Sequence, residues 1–395
     1  MENLPRELVS NVLSRLPAKV LHLCKCVCKS WLDLITDPHF ATNYYVVYNS
    51  LRGPEEHLLV IRRPFYSGLK TFISVLSWNI NDPKKHVSSD VLNPPFEYSS
   101  EDRYWTEILG PCNGIYLLEG NPNVLMNPSL RQFRALPQSH FASPCGADYA
   151  GFGFDPKTND YKVVVIKTDE RQLGCWSAEL YSLNSNSWRK LDDSNSLSLP
   201  FEIWGSSRVY TYANHCSHWW GFVDEFGATK DVVLAFDMVH DVFRKIKVPK
   251  IRDSWEENFA TLAPFNDSAT IGVIVYPVRG TDKCFDVWVM KDYWDEGSWV
   301  KQYSVGPVQV IYKLVGFCGS DRFLWKDDDE RLVLYESEKT RDLQVYGKYD
   351  SIRAARYTES LVSLQRGDEF GHKCFSCCLV PDPLLHDTEY VVSFL

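Results

Sequence analysis

The apolar positions of the chain change rhythm once. Up to residue 44 they recur at helical spacing: Leu8, Val9, Val12, Leu13 and Leu16, then, beyond Pro17, Val20, Leu21, Leu23, Cys24, Val27, Trp31, Leu34 and Ile35. Pro5 stands where a first-turn proline is tolerated, Pro17 stops the first helix, and Pro38 closes the second series. A helical piece this short cannot bury all of those side chains by itself. Part of the stripe must meet a partner or pack on the remainder of the same chain.

Beyond residue 50 the helical rhythm gives way to short β-rich runs at 161–166, 232–236, 271–276, 285–290 and 331–335, separated by Gly, Pro, Asn and Asp. An apolar residue follows a polar turn five times, at Phe133, Trp188, Phe243, Trp299 and Leu343, with spacings of 55, 55, 56 and 44. A period of this size built from strands predicts a β-propeller. The remaining length gives about six blades, and the shortened last interval leaves seven open. Each mark reads as a hairpin turn whose returning Trp or Phe packs between blades, with Tyr181, Phe236 and Tyr335 ending the outgoing strands. Closure of the ring needs a strand from each end. Residues 58–61 and 72–77 are the candidates at the start and residues 360–364 at the end. The fold class is therefore a small all-α unit followed by an all-β propeller.

Composition narrows the function. The 395 residues suit two or three domains, with 45% hydrophobic and 24% charged side chains, as in a folded globular protein. There is no apolar run of membrane-spanning length, and the first residues lack a secretory pattern, so no membrane partner is expected. Twelve Cys then read as reduced thiols of a cytoplasmic protein. The net charge of −9 argues against direct nucleic-acid binding. Residues 1–44 carry five basic and four acidic side chains, so the acidity belongs to the strand-rich region.

No catalytic signature is present. Gly151-Phe152-Gly153 lacks the third glycine and the helix of a dinucleotide site, and no nucleophile elbow or phosphate loop occurs. His372, Cys374, Cys377 and Cys378 are crowded into one segment rather than split into two ligand pairs, so they read as tail. No metal and no cofactor is expected. Acidic groups fall in predicted turns: Asp192-Asp193, Asp253 with Glu256-Glu257, Asp292 with Asp295-Glu296, and 327–330. Each reads as a solvated turn, or, if several share one rim, as a field steering a cationic partner. Trp105, Trp176, Trp204, Tyr210, Tyr212 and Trp255 interrupt the strand pattern and read either as recognition anchors or as blade core. The candidate substrate-binding set is Trp204, Trp255, Asp253, Glu256, Glu257, Asp292, Asp295 and Glu296.

The N-terminal residues Leu4-Pro5-Arg6-Glu7-Leu8-Val9, Leu13-Ser14-Arg15-Leu16-Pro17-Ala18-Lys19, Lys25-Cys26-Val27-Cys28-Lys29-Ser30-Trp31 and Pro38-His39-Phe40 together resemble a plant F-box. Leu23-Cys24 departs from the basic-aromatic pair often found there. The resemblance implies docking on a Skp-type adaptor, which bridges to a cullin scaffold. Leu4, Pro5, Leu8, Leu16, Pro17, Val20, Val27, Cys28, Lys29, Trp31 and Ile35 would form or support that interface. Residues 110–115, 151–164 and 287–301 resemble the kelch-like, F-box-associated domain of plant F-box proteins, and residues 110–115 and 299–307 look most like the S-locus F-box proteins of self-incompatibility. The implied organisation is an F-box at 1–44, a linker at 45–57, the propeller at 58–366 and a tail at 367–395. The implied role is a non-catalytic substrate receptor of a Skp–cullin–F-box ubiquitin ligase, cytoplasmic and in pollen or the pollen tube. Basic S-RNases of the pistil would be its substrates. Immune receptors or other cytosolic proteins are the alternative substrates, and a propeller enzyme or sugar-binding module is the alternative class.

Overall fold

The prolines of the N-terminal unit open helices. Four helices form it: α1 (Arg6–Leu13), α2 (Ala18–Cys24), α3 (Lys29–Thr36) and α4 (Pro38–Leu51). Pro5 and Pro17 are the N-caps of α1 and α2, and Pro38 is the first residue of α4. At those positions the missing N–H costs nothing and the restricted φ suits the helix entry. The second apolar series is thus two helices, broken where Cys28 is fully extended at φ −162° and ψ 162°. Pro38 starts a fourth helix instead of ending the unit. Tyr44 and Tyr48 of α4 stack at 5.0 Å, so this helix has a face to bury and runs on through residues expected to link the two units.

The structure, a computed structural model, describes residues 4–51, 55–63, 71–79, 82–92, 107–120, 122–140, 148–168, 176–191, 201–203, 210–225, 228–251, 257–265, 268–280, 282–309, 313–317, 322–336, 339–347 and 351–365. After the helices, the chain builds six antiparallel sheets arranged as the blades of a propeller. Blade one holds β1 (Glu55–Arg62), β2 (Phe72–Asn79) and β3 (Asp82–Leu92). Blade two runs from β4 (Ile108–Cys112) to β7 (Gln132–Ala135), and blade three from β8 (Asp148–Asp155) to β11 (Ser187–Lys190). Blade four spans β12 (Glu202–Ile203) to β16 (Val242–Lys247), blade five β17 (Asn258–Phe265) to β20 (Trp299–Gln309), and blade six β21 (Lys313–Phe317) to β24 (Lys339–Tyr346). All five sequence marks lie on the outermost strand of a blade.

Both faces of these sheets are buried, which explains why the strands read as unbroken apolar runs rather than alternating ones. Val163 and Val165 enter the core between blades two and three, while Val164 and Ile166 enter the core between blades three and four. Leu58 and Val60 face blade six, while Leu59 and Ile61 face blade two. Six apolar cores lie between neighbouring blades in this way. The marker aromatics serve them: Phe243 of blade four meets Trp176 of blade three edge-on at 4.7 Å, and Trp299 of blade five donates its Nε1–H to Lys247 O of blade four at 3.2 Å. The turns share a device as well. Asn127, Asp155 and Asp237 each accept backbone N–H groups two or three residues on, and Arg131, Asn159 and Asp241 each take φ near +50° to reverse the chain.

Closure uses a different C-terminal strand from the one expected. β25 (Arg353–Arg356) pairs with β1, Leu58 opposite Arg356 through Ile61 opposite Arg353, and becomes the innermost strand of blade one. Ile352 and Ala354 carry apolar side chains into the core between blades six and one, whereas Leu361 enters the core of the helical unit and Leu364 the core between blades two and three. Residues 360–364 instead cross blade two. Asn127 Nδ2 donates to Ser360 O at 3.2 Å and Val362 O at 2.8 Å, and Arg134 Nη1 donates to Leu364 O at 2.9 Å. The closing strand is tied sideways by a two-point ion pair, Arg353 Nε and Nη2 on the carboxylate of Glu107 at 2.6 and 2.7 Å, with both side chains at least 85% buried. Arg353→Met should leave that carboxylate without its partner and lower unfolding stability by about 3 kcal/mol, read by chemical denaturation. A loss below about 0.5 kcal/mol would show that the strand pairing alone closes the ring.

Candidate functional site

Among the described residues, two exposed surfaces are candidates for recognition. The first is the outer side of the helical unit. α1, α2 and α3 are seven or eight residues long, too short to persist without tertiary packing. Their inner faces supply Leu13, Ala18, Leu21, Leu34 and Ile35 to one buried core. Their outer faces leave Leu4, Leu8, Val12, Val20, Leu23, Val27 and Leu32 between 39% and 64% exposed. Leu8 and Val12 are four residues apart and so share one face of α1, and Leu4 stands just before the helix. Five of these aliphatic side chains lie on the three short helices, Leu4 just before α1 and Val27 between α2 and α3, and together they leave the outer side of the unit apolar.

The positions expected at an adaptor interface sort by depth. Leu4, Pro5, Leu8, Pro17, Val20, Val27, Cys28 and Lys29 are exposed. Leu16 and Trp31 are half-buried against the inner core, and Ile35 is wholly inside it, where it supports the surface from beneath. Sequence reasoning left out Val12, Leu23 and Leu32. The four-residue spacing from Leu8 was the available signal for Val12. Cys28 Sγ sits 3.2 Å from Ser30 Oγ at the start of α3. Arg6 of α1 reaches Asp37 at 3.4 Å, a surface pair that ties the two ends of the unit loosely.

The second surface is the loop between β19 (Asp282–Met290) and β20. Asp292, Asp295 and Glu296 are exposed there, and the loop presents Trp294 at φ +76°, the residue 36% exposed. Ser298 Oγ holds the loop closed, donating to Asp292 O and Asp295 O, while Asp295 Oδ1 accepts from Gly297 N at 2.9 Å. Arg244 lies 5.0 Å over the Trp294 ring, and Lys247 N donates to Glu296 at 2.9 Å. Tyr293 anchors the loop inward through its hydroxyl, 2.7 Å from His218 Nε2. His218 Nδ1 faces the Thr211 carbonyl, an acceptor only, so Nδ1 carries the proton and Nε2 accepts from Tyr293.

Of the described substrate candidates, Asp292, Asp295 and Glu296 share this loop and Glu257 stands apart from them. Trp204, Trp255, Asp253 and Glu256 lie outside the described residues, as do Trp105, Asp192-Asp193 and the 372–378 cluster. Glu257 precedes β17, and Asp292 follows β19. In the antiparallel register of blade five those two points are at opposite ends of the sheet. Asp327 is not a free recognition group, because it accepts from the backbone of Asp329 and Arg331 and pairs with the Arg331 side chain at 2.7 Å. Tyr210 and Tyr212 prove to be blade core, their hydroxyls bonded to Phe152 O and Phe154 O of blade three.

A polar groove of about 360 Å³ between Asp160, Ser182, Ser185, Arg189 and Asp241 is internally neutralised. Lys162 donates there to Asp155 at 2.9 Å, Asp241 at 2.8 Å and Met238 O at 2.7 Å. Burial alone would raise the Asp155 carboxyl, but hydrogen bonds from Lys162, Thr158 and the backbone overcome it and hold the group below its ordinary range. The cluster locks blade three to blade four.

The described surfaces thus define a propeller that carries a small helical docking module. The F-box associated beta propeller domain family matches residues 67–382, and the F-box domain family matches residues 1–43. The chain belongs to the plant F-box proteins with an F-box-associated β-propeller. It is similar to "F-box protein CPR1" of Arabidopsis thaliana, 26% identical with 93% of this chain and 91% of that one covered. It is also similar to "F-box/kelch-repeat protein At3g23880" of the same plant, 24% identical over 77% of this chain and 79% of the other. No helix among the described residues is long and apolar enough to cross a membrane.

Burial lowers His218 to a pKa of about 4, against the opposing hydrogen bonds to the backbone at Thr211 and Cys216. Between that value and the unfolded value of about 6.5 the unfolded chain binds more protons, so stability rises with pH in this window. Lowering the pH from about 6.5 to 4 should remove up to about 3 kcal/mol on this account. His218→Gln should flatten that part of a denaturation-versus-pH profile. An unchanged slope would place the responsible group elsewhere.

Proposed function

We propose that the chain is the substrate-recognition subunit of a Skp–cullin–F-box ubiquitin ligase. The observation that carries this reading is the apolar outer surface of α1–α3, presented by an F-box whose inner core is already filled. A Skp-type adaptor would cover Leu4, Leu8, Val12, Val20, Leu23, Val27 and Leu32, and the cullin would be reached through it. The propeller would hold a protein substrate, and the chemistry it supplies is proximity: substrate lysines kept near a ubiquitin-charged enzyme at high effective concentration.

The substrate reading is finer. The region outside residues 1–44 carries a net charge of −10, which suits a basic protein. The resemblance to S-locus F-box proteins makes basic pistil S-RNases the proposed substrates, met in the cytoplasm of the pollen tube. Asp292, Asp295, Glu296 and Trp294 are the proposed contact loop, since they combine exposed carboxylates with an exposed aromatic face.

Leu8→Asp and Val12→Asp point into solvent and should leave the fold intact while weakening adaptor binding about a hundredfold by calorimetry. Adaptor affinity within about twofold of the parent would remove this surface from the interface. Against a panel of S-RNases, the chain–adaptor complex should bind selectively and about tenfold more weakly as salt rises from roughly 0.05 to 0.2 M, with Asp292→Lys lowering affinity further. Selective binding insensitive to salt would move recognition to the aromatics. No binding across the panel, with the adaptor attached, would leave an F-box receptor for an immune receptor or another cytosolic protein.

A further inference from the structure

The F-box does not hang from the propeller by its linker alone. Its inner core contains two propeller-side residues, Leu130 from the turn between β6 (Val124–Asn127) and β7, and Leu361 from the segment after the closing strand. That segment, residues 357–365, is seated on blade two from below. Ser360 N donates to Ser129 Oγ at 3.0 Å, Leu364 N to Gln132 Oε1 at 2.9 Å, and Asn127 reaches both Ser360 O and Val362 O. Gly114, at φ +74°, lets it pass: a Cβ there would stand 2.6 Å from Ser360 Cβ and 2.9 Å from Thr358 O. From this seated segment Glu359 points into the F-box. Its Oε2 accepts from Ala18 N at 2.6 Å and from Tyr44 Oη at 2.9 Å, and its Oε1 lies 3.4 Å from Tyr48 Oη.

The sequence separation is what gives this contact meaning. Pro17, the residue capping α2, offers no side-chain acceptor for the first free amide of that helix. The acceptor comes from Glu359, 341 residues further on, and the same carboxylate fixes α4 through its tyrosines. One side chain therefore joins two F-box helices to the strap that the closed ring holds in place. A flexible tether would let the two units turn relative to each other, whereas a shared core with a three-point carboxylate does not.

We propose that Glu359 is the positioning residue of this receptor: carried on the 357–365 strap, it sets the orientation of the F-box on the propeller and thereby which lysines come within reach of the ubiquitin-charged enzyme. This rests on the ligase reading above and adds a geometric requirement to it. Adaptor docking occurs on the outer face and needs only the helices. Selection of lysines needs the angle between the two units, and that angle depends on Glu359.

The test uses the full chain, free and with its adaptor, as the parent, Glu359→Ala, Glu359→Gln and Tyr44→Phe. Hydrogen–deuterium exchange in the free chain should speed up about tenfold at the amides of residues 18–21 in Glu359→Ala, with Glu359→Gln intermediate and β9 (Asp160–Thr168) unchanged. In the reconstituted ligase, the map of self-ubiquitinated lysines should spread to new positions while adaptor affinity stays within about threefold. A merely structural role would slow all lysines together and leave the map alone. Exchange within about twofold of the parent, or an unchanged lysine map, overturns the proposal. Should Glu359→Ala also loosen β9, Tyr44→Phe decides in its place, with about threefold faster exchange in α2 expected and none overturning. If the parent fails to bind any Skp-type adaptor, the ligase reading falls, and the exchange arm still reads whether Glu359 holds the F-box.

Discussion

Each blade of this protein must bury two faces, and that requirement organises everything else. A sheet whose strands are apolar on both sides has no stable solution alone. It needs a neighbour on each side, and six such sheets satisfy one another only as a ring. The ring in turn needs a strand that returns from the far end of the chain. β25 meets that need by pairing with β1, and the Arg353–Glu107 ion pair ties the returning strand to the next blade.

The closure has a second consequence, for the F-box. A module of short helices with a half-apolar outer surface is marginal by itself. It packs on the propeller because the chain, after closing the ring, continues across blade two and delivers Leu361 and Glu359 to the helices. The apolar stripe of the N-terminal unit is thus divided. Its inner half packs within the chain, and its outer half remains for a partner. The reading that the stripe packs on the same chain holds for its inner residues, and the reading that it meets a partner applies to the exposed ones.

The acidic side chains show a similar division. Asp155 and Asp237 are turn caps that pair within their own blades, Asp327 is a turn cap paired with Arg331, and Asp241 of blade four anchors Lys162 and Arg189 of blade three. Their charge is largely neutralised where it stands. Asp292, Asp295 and Glu296 remain exposed around Trp294, and Glu257 is exposed at the other end of the same blade. The net acidity of the propeller therefore overstates the field available on any one rim.

Much of the architecture was legible in local pattern. Proline positions, the helical spacing of Leu8, Val9, Val12, Leu13 and Leu16, and the recurrence of a polar turn before Phe133, Trp188, Phe243 and Trp299 all report interactions between residues close in the chain. Those interactions need only a few neighbours, so the sequence alone carried the helical unit, the strand repeat and about six blades. It did not carry the strand that closes the ring, because Arg353–Arg356 and residues 360–364 are both plausible by composition and differ only in which core they can reach. Nor could it show that Glu359 caps a helix 341 residues earlier, or that Glu257 and Asp292 lie at opposite ends of one sheet. These depend on where distant segments stand once every blade has found its two neighbours, and only the tertiary structure decides that.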